Sequence, residues 1–293
     1  MTRIWFWLKN SRLFSLPMTI FSWLVVFIYS FDGNILNGFA ALIGIAFAHL
    51  ATNLFDDYID YKNLPQNCQQ CKCAYIKEGK ATIDDVLRVV IIYLSIASIM
   101  GLFLFFRCGF PVIILALIGG AIALAYSKLS QVGLSEIAVG LAFGPLLFEG
   151  VYFVMTEEFS LTVFVMSLAV VMFTIGLMYV HTVLDFEGDL KSGKKTLACR
   201  LKTKEKAIDG IYYVYGIGYI FTLISAILLK NFYIILTFSL IPLILNLHES
   251  LKTFSCGQAQ EEFYKRLLTA RNIMILYSSI FSVSLFINFM KFL

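Results

Sequence analysis

Of the chain's 293 residues, 59% are hydrophobic and 14% charged, and the mean hydropathy is +0.82. A soluble domain carries about one-quarter charged residues, so a water-exposed fold is excluded and lipid is the solvent that accommodates this much apolar surface. A net charge of +4 is too small to mark a nucleic-acid binder, and no nucleic acid is expected among the partners.

Apolar runs of spanning length recur nine times along the chain. They lie near Leu16–Phe31, Leu36–Phe55, Val86–Phe106, Pro111–Tyr126, Leu134–Met155, Leu161–Leu184, Ile208–Leu229, Phe232–Leu247 and Ile273–Met290. A spanning strand would need only about ten residues with period-two alternation, so helices are expected. No small-residue cleavage site follows the first run, which reads as a retained helix rather than a signal peptide. The expected fold is an all-α integral membrane protein, a nine-helix bundle forming one domain over residues 1–293.

Lys and Arg favour cytoplasmic loops. With the N-terminus inside, 20 of the 23 Lys and Arg residues fall on the cytoplasmic side. Only Arg107, Lys230 and Lys291 fall on the other. The C-terminus is then expected outside, and the protein in the cell's inner, cytoplasmic membrane.

Two long cytoplasmic loops are expected, roughly Tyr61–Asp85 and Lys191–Lys206, and each follows a helix that ends in acidic residues. The second run ends Asn53-Leu-Phe-Asp56-Asp57-Tyr-Ile-Asp60. Asn53, Asp56 and Asp60 sit at i, i+3 and i+7, which places them on one helical face. The sixth run ends His181-Thr-Val-Leu-Asp185-Phe-Glu-Gly-Asp189. Asp185 and Asp189 sit one turn apart, with His181 one turn deeper. Two such carboxylates suit Mg²⁺, which binds through one or two carboxylates plus water and substrate phosphate. Two pairs on different helices suit Mg²⁺ on either side of one diphosphate, with Lys191, Lys194 and Lys195 supplying charge for phosphate oxygens. The plain alternative is that these acids merely mark solvated helix ends. A cation transporter is the alternative from another class, although transporters place such sites near the bilayer midplane on broken helices.

With these motifs in view, the sequence resembles the UbiA superfamily of intramembrane aromatic prenyltransferases over nearly its whole length. The N-x-x-D-x-x-x-D motif is matched by Asn53, Asp56 and Asp60. The D-x-x-x-D motif followed by G-x-x-T-L is matched by Asp185, Asp189 and Gly193-Lys-Lys-Thr-Leu197. Arg12-Leu-Phe-Ser15-Leu-Pro17 is similar to the start of the family's first helix, and Tyr126-Ser127-Lys128 to its fourth-to-fifth helix loop. Gly133-Leu-Ser-Glu136 followed by Phe143-Gly-Pro145 resembles the menaquinone branch, which prenylates 1,4-dihydroxy-2-naphthoate. Two stretches depart from that branch: His181 and Leu184 stand where it commonly has Asn and Arg, and Cys68-Gln-Gln-Cys71-Lys-Cys73 occupies the first loop.

The resemblance implies a Mg²⁺-dependent transfer from an isoprenyl diphosphate to an aromatic acceptor, with the prenyl tail lying against membrane lipid. Asp56, Asp60, Asp185 and Asp189 are the implied metal-binding and catalytic residues. Asn53, Arg12, Lys77, Tyr126, Lys128, Lys194, Lys195 and His181 are the expected substrate contacts. The naphthoate is the expected acceptor, with 4-hydroxybenzoate, homogentisate or a non-aromatic lipid precursor as alternatives. The C-x2-C-x-C cluster could bind zinc with Cys199 as fourth ligand, or hold plain thiols in a reducing compartment. Glu149 lies well inside the fifth run, where an unpaired charge is expensive, and is expected to be a neutral acid, to bond within the bundle or to face the acceptor. Gly144-Pro145 is expected to break or kink that run.

Overall fold

A computed structural model describes residues 2–63, 73–191, 195–254 and 260–291, and all regular structure among them is helical. In chain order the helices are α1 (Arg3–Asn10), α2 (Leu16–Tyr29), α3 (Ile35–Asn63), α4 (Ala74–Lys77), α5 (Ile83–Cys108), α6 (Pro111–Gln131), α7 (Ser135–Leu141), α8 (Leu147–Thr156), α9 (Leu161–Leu184), α10 (Phe186–Lys191), α11 (Leu197–Arg200), α12 (Lys204–Leu228), α13 (Ile241–Lys252) and α14 (Gln260–Met290). A π-type turn over Ala142–Leu146 joins α7 to α8, and a 3₁₀ stretch over Phe232–Leu240 leads into α13. Counting each of these joined pairs as one span, eight helical spans among the described residues are long and apolar enough to cross a bilayer, and the pair α1/α2, bent by 56°, makes a ninth. The nine apolar runs therefore correspond to nine helical spans.

Local chemistry explains the breaks. Between α1 and α2, Arg12 adopts a left-handed conformation at φ 59° and Pro17 falls in the first turn of α2. Proline is welcome there because its missing N–H is unneeded. Pro145 interrupts the fifth span as expected, and Gly144 leaves helical geometry at φ −95°, ψ −111°. Side-chain caps begin α5 (a Thr82/Asp85 capping box), α9 (Ser160) and α12 (Thr203). Each satisfies backbone N–H groups that a helix start leaves unpaired.

Several helices outrun their apolar cores. At 29 residues, α3 is about 43 Å long against about 30 Å of hydrocarbon, so its acidic end projects beyond the lipid. The last span begins at Gln260 rather than Ile273, because its charged turns remain helical outside the apolar stretch. Glu149 takes no part at the acidic ends. Its Oε2 accepts the Ser160 backbone N–H at 3.1 Å, capping the start of α9, the end of that helix remote from Asp185.

The central helix is α9, which packs against α2, α7, α8, α12 and α14. Met166, Val170, Phe173 and Val180 along it are inaccessible, and Phe173 stacks on Tyr277 of α14 at 3.5 Å. By contrast α6 has Val112 as its one buried residue among the described side chains. A second, smaller apolar cluster joins Trp7, Leu50, Leu54, Tyr75, Val86, Val90 and Tyr93. It clamps α1, α3, α4 and α5 together at the acidic end of α3.

The loops gather into two end faces. On one, Arg12 meets Asp56, Arg200 donates to the Val132 carbonyl at 2.8 Å, and Lys204 donates to the Phe254 carbonyl at 2.9 Å. On the other, Asn37 donates to the Val154 carbonyl at 2.7 Å and Asn231 to the Ser284 carbonyl at 2.9 Å. Both acidic motifs end on the first face.

Candidate active site

On α3 the unbroken helix keeps Asn53, Asp56 and Asp60 on one side, and Asp56 and Asp60 are both buried. Arg12 reaches this side from the bend between α1 and α2. Its Nη2 donates to Asp57 Oδ1 at 2.6 Å and to Asp56 Oδ2 at 3.3 Å. The Asn53 amide nitrogen donates to the Ser11 carbonyl at 3.0 Å and to Ser15 Oγ at 3.2 Å. One turn deeper, the His49 ring lies between Ser15 Oγ (3.1 Å) and Thr19 Oγ1 (2.8 Å). Arg12, Asn53 and His49 together fasten the bend to the motif. Two expected substrate contacts are thus largely engaged by the protein: Nη2 of Arg12 and the amide nitrogen of Asn53.

Asp57, one residue off the motif face, is an anchor that the spacing argument passed over. It is 2% exposed and also accepts from the Tyr75 hydroxyl at 3.3 Å, while its carbonyl accepts from Cys73 Sγ. Burial, reinforced by the Asp57 carboxylate, pushes the Tyr75 phenol above its ordinary range, so Tyr75 stays protonated and donates. A guanidinium shared by two neighbouring carboxylates offsets their charge in a partly buried setting.

The second motif sits at a joint. α9 ends at Leu184, Asp185 forms the junction, and α10 starts at Phe186. The Asp189 N–H donates to the Asp185 carbonyl at 2.8 Å, which preserves the one-turn separation across the joint. The two carboxylates differ in exposure: Asp185 is 45% accessible and Asp189 is buried. His181 Nδ1 lies 3.5 Å from Asp185 Oδ2, and its ring meets the edge of Phe263.

Tyr126, at the end of α6, lies within electrostatic reach of Asp56, Asp60, Arg12 and Glu136. It therefore lies near both the first motif and the start of α7, which follows the α6–α7 loop. That loop is held to the second-motif side by Gly133, whose φ is +73° and whose Cα faces the Lys195 carbonyl. Lys77, Lys128 and Lys195 are exposed. Lys194 lies outside the described residues, as do Cys68 and Cys71.

Carboxylate oxygens from two short-spaced pairs are hard donors that fit Mg²⁺. No group of three His, Cys, Asp or Glu side chains converges to form a complete metal cage among the described residues. Mg²⁺ keeps waters and takes substrate phosphate as ligand, so a pair of carboxylates is enough to hold it. Of the four cysteines considered for zinc, Cys73 and Cys199 are described: Cys73 bonds the Asp57 carbonyl, and Cys199 is buried with its Sγ 3.9 Å from the Phe186 carbonyl.

The described geometry can be set beside known proteins. The chain is 21% identical over 194 residues to the 1,4-dihydroxy-2-naphthoate octaprenyltransferase of Bacillus subtilis (strain 168), and the match spans 62% of each chain. The fold matches a structure of digeranylgeranylglyceryl phosphate synthase with a TM-score of 0.66 at 16% identity, over 98% of this chain and 99% of that one. It matches a UbiA homolog from Archaeoglobus fulgidus bound to GPP and Mg²⁺ with a TM-score of 0.63 at 14% identity, over 94% and 99%. A UbiA homolog from Aeropyrum pernix K1 gives 0.65 at 16% identity, over 99% and 100%. The model of the UbiA prenyltransferase family matches residues 15–269, and the chain, an integral membrane protein, belongs to that family.

Proposed function

We propose that this protein, acting as one transmembrane catalytic domain, transfers a prenyl group from a Mg²⁺-bound prenyl diphosphate to an aromatic acceptor, 1,4-dihydroxy-2-naphthoate. The observation that carries the proposal is the arrival of two carboxylate pairs, Asp56/Asp60 and Asp185/Asp189, on one end face of the bundle. The bound GPP and Mg²⁺ of the Archaeoglobus fulgidus homolog support the donor. The name of the Bacillus subtilis relative supports the acceptor and a place in menaquinone synthesis.

In this scheme the four aspartates would hold Mg²⁺, which would supply charge neutralisation for the diphosphate as leaving group. Arg12 orients Asp56. Asn53 fixes the bend and offers its Oδ1 to the site. Lys77, Lys194 and Lys195 add charge for phosphate oxygens on either side. The allylic C–O bond breaks with its electron pair leaving on the diphosphate, and the electron-rich ring attacks the resulting cation. Tyr126 and His181 border the reacting carbons, where an aromatic face stabilises developing positive charge. Lys128 receives the acceptor's carboxylate at the mouth, and the prenyl tail lies among lipid-facing side chains.

We further assign the motif face to the cytoplasm and the protein to the inner membrane, on the strength of the 20-to-3 division of Lys and Arg. Membrane-impermeant labelling of single cysteines at positions 195 and 157 should modify them from opposite sides, 195 from the cytoplasm; the reverse pattern would refute the orientation.

The donor half is tested by thermal stability. Mg²⁺ and geranyl diphosphate together should raise the melting midpoint, by the equivalent of about 2.7 kcal/mol at 100 times the dissociation constant. Either component alone should do little. Full stabilisation by the diphosphate in the presence of a chelator would contradict a metal-bridged site.

A further inference from the structure

One buried carboxyl on the motif face is not used by this scheme. Glu136, the second residue of α7, is 2% exposed. Its Oε2 accepts from the Ser135 hydroxyl at 2.9 Å, which fixes the carboxyl plane. Its Oε1 is buried and has no hydrogen-bond partner among the described residues. The nearby phenols do not supply one. Tyr179 lies within electrostatic reach but donates its hydroxyl to the Ala207 carbonyl at 2.7 Å. Tyr126 lies within electrostatic reach of both Glu136 and the first motif.

An unsatisfied carboxyl oxygen in an apolar setting is costly. Native structures leave few such groups, and in a membrane bundle they mark function. A hydrogen-bond donor brought by a ligand would satisfy this oxygen. It cannot be the diphosphate end of the donor, because two anionic oxygens would face one another. A neutral hydroxyl fits. Glu136 also sits three residues from Gly133, which presses against the Lys195 backbone, so its position depends on the segment that follows the second motif.

We propose that Glu136 is a catalytic residue of the acceptor subsite: its Oε1 accepts the hydrogen bond of an acceptor hydroxyl and takes that proton as the new carbon–carbon bond forms. The inference rests on the prenyl-transfer function proposed above. The chemistry balances. The allylic C–O bond breaks and its electron pair departs with diphosphate. A ring π pair forms the C–C bond, and the cationic adduct becomes a neutral ketone by giving its hydroxyl proton to the Glu136 carboxylate, which later releases it to water. With a hydroxyl at Glu136, the carboxylate of a hydroxynaphthoic acid is repelled toward the cationic mouth at Lys128 and Lys195, which orients the ring.

The test compares wild type with Glu136→Gln, which keeps size and shape but cannot take up the proton. Geranyl diphosphate is the donor, and 1,4-dihydroxy-2-naphthoate or its methyl ethers are the acceptors. Glu136→Gln should keep the stabilisation by Mg²⁺ and geranyl diphosphate, and should transfer to the free naphthoate about 100-fold more slowly, within the range of general-base effects. Methyl ethers should be poor acceptors for the wild type and suffer no comparable further loss in the variant. Transfer within about twofold of wild type would overturn the assignment, as would equal losses on free and methylated acceptors or a lost donor-induced stabilisation, since these indicate a structural role. Preference for a glycerol-based hydroxyl lipid over the naphthoate, with the same Glu136→Gln loss, would retain the hydroxyl subsite and overturn its aromatic occupant. A wild type that neither binds the donor nor transfers it would overturn the prenyl-transfer proposal itself, and this inference with it.

Discussion

Converting Asp60 or Asp189 to Asn should reduce prenyl transfer by at least about 10²–10³-fold, the range for removing one preorganised electrostatic contact, while the bundle stays folded. Both carboxylates are buried on the motif face, and the amide keeps their size while removing the charge that holds a hard cation. Stabilisation by Mg²⁺ with geranyl diphosphate should fall in parallel, because loss of a ligand weakens binding before chemistry begins. Asp57→Asn provides the contrast. Asp57 pairs with Arg12 and Tyr75 rather than lying on the motif face, so its loss should lower the melting midpoint more than it lowers metal-dependent donor binding. Near-normal turnover in any two of the variants Asp56→Asn, Asp60→Asn, Asp185→Asn and Asp189→Asn would remove the two-pair metal site.

Gly133→Ala should be the most damaging single methyl addition on the motif face. The added Cβ would lie 1.6 Å from the Lys195 carbonyl oxygen and 2.6 Å from its carbon, and the backbone there is at φ +73°. A left-handed alanine alone costs about 1 kcal/mol or more, and the clash is with backbone, which cannot rotate away as a side chain would. A total loss of about 3 kcal/mol is expected, together with weaker turnover, because the displaced segments carry Glu136 and Lys195. The checks are the melting midpoint and the acceptor KM. A variant that melts and turns over like wild type would mean that these two loops do not meet as described.

Much of this molecule is legible in its sequence because lipid is an exacting solvent. Backbone groups in hydrocarbon must be satisfied within the segment, so nine long apolar runs became nine helical spans with few alternatives. The motif spacing was legible for the same reason: on the unbroken α3, positions 53, 56 and 60 must share a side. The second motif was less so, since nothing in Asp185-Phe-Glu-Gly-Asp189 announces that α9 ends at Leu184 and leaves Asp185 exposed beside a buried Asp189.

Tertiary partners were hidden altogether. Asp57 looks like one more acid at a wet helix end, yet Arg12 and Tyr75 arrive from separate segments to make it an anchor. Glu149 looked like an isolated intramembrane charge, and a chain reversal brings it the Ser160 N–H. Glu136 was visible only as part of a family-like string; its unpartnered oxygen is a property of the packed fold.

The central claim is tested most directly by product formation. Purified protein with Mg²⁺ and labelled geranyl diphosphate, offered equal concentrations of 1,4-dihydroxy-2-naphthoate, 4-hydroxybenzoate and homogentisate, should yield a prenylated naphthoate by mass, preferred by at least about tenfold, or roughly 1.4 kcal/mol of transition-state discrimination. Preference for another of the three acids would replace the acceptor and leave prenyl transfer standing. Absence of any prenylated product from protein that binds Mg²⁺ and the diphosphate would contradict prenyl transfer to these aromatic acids.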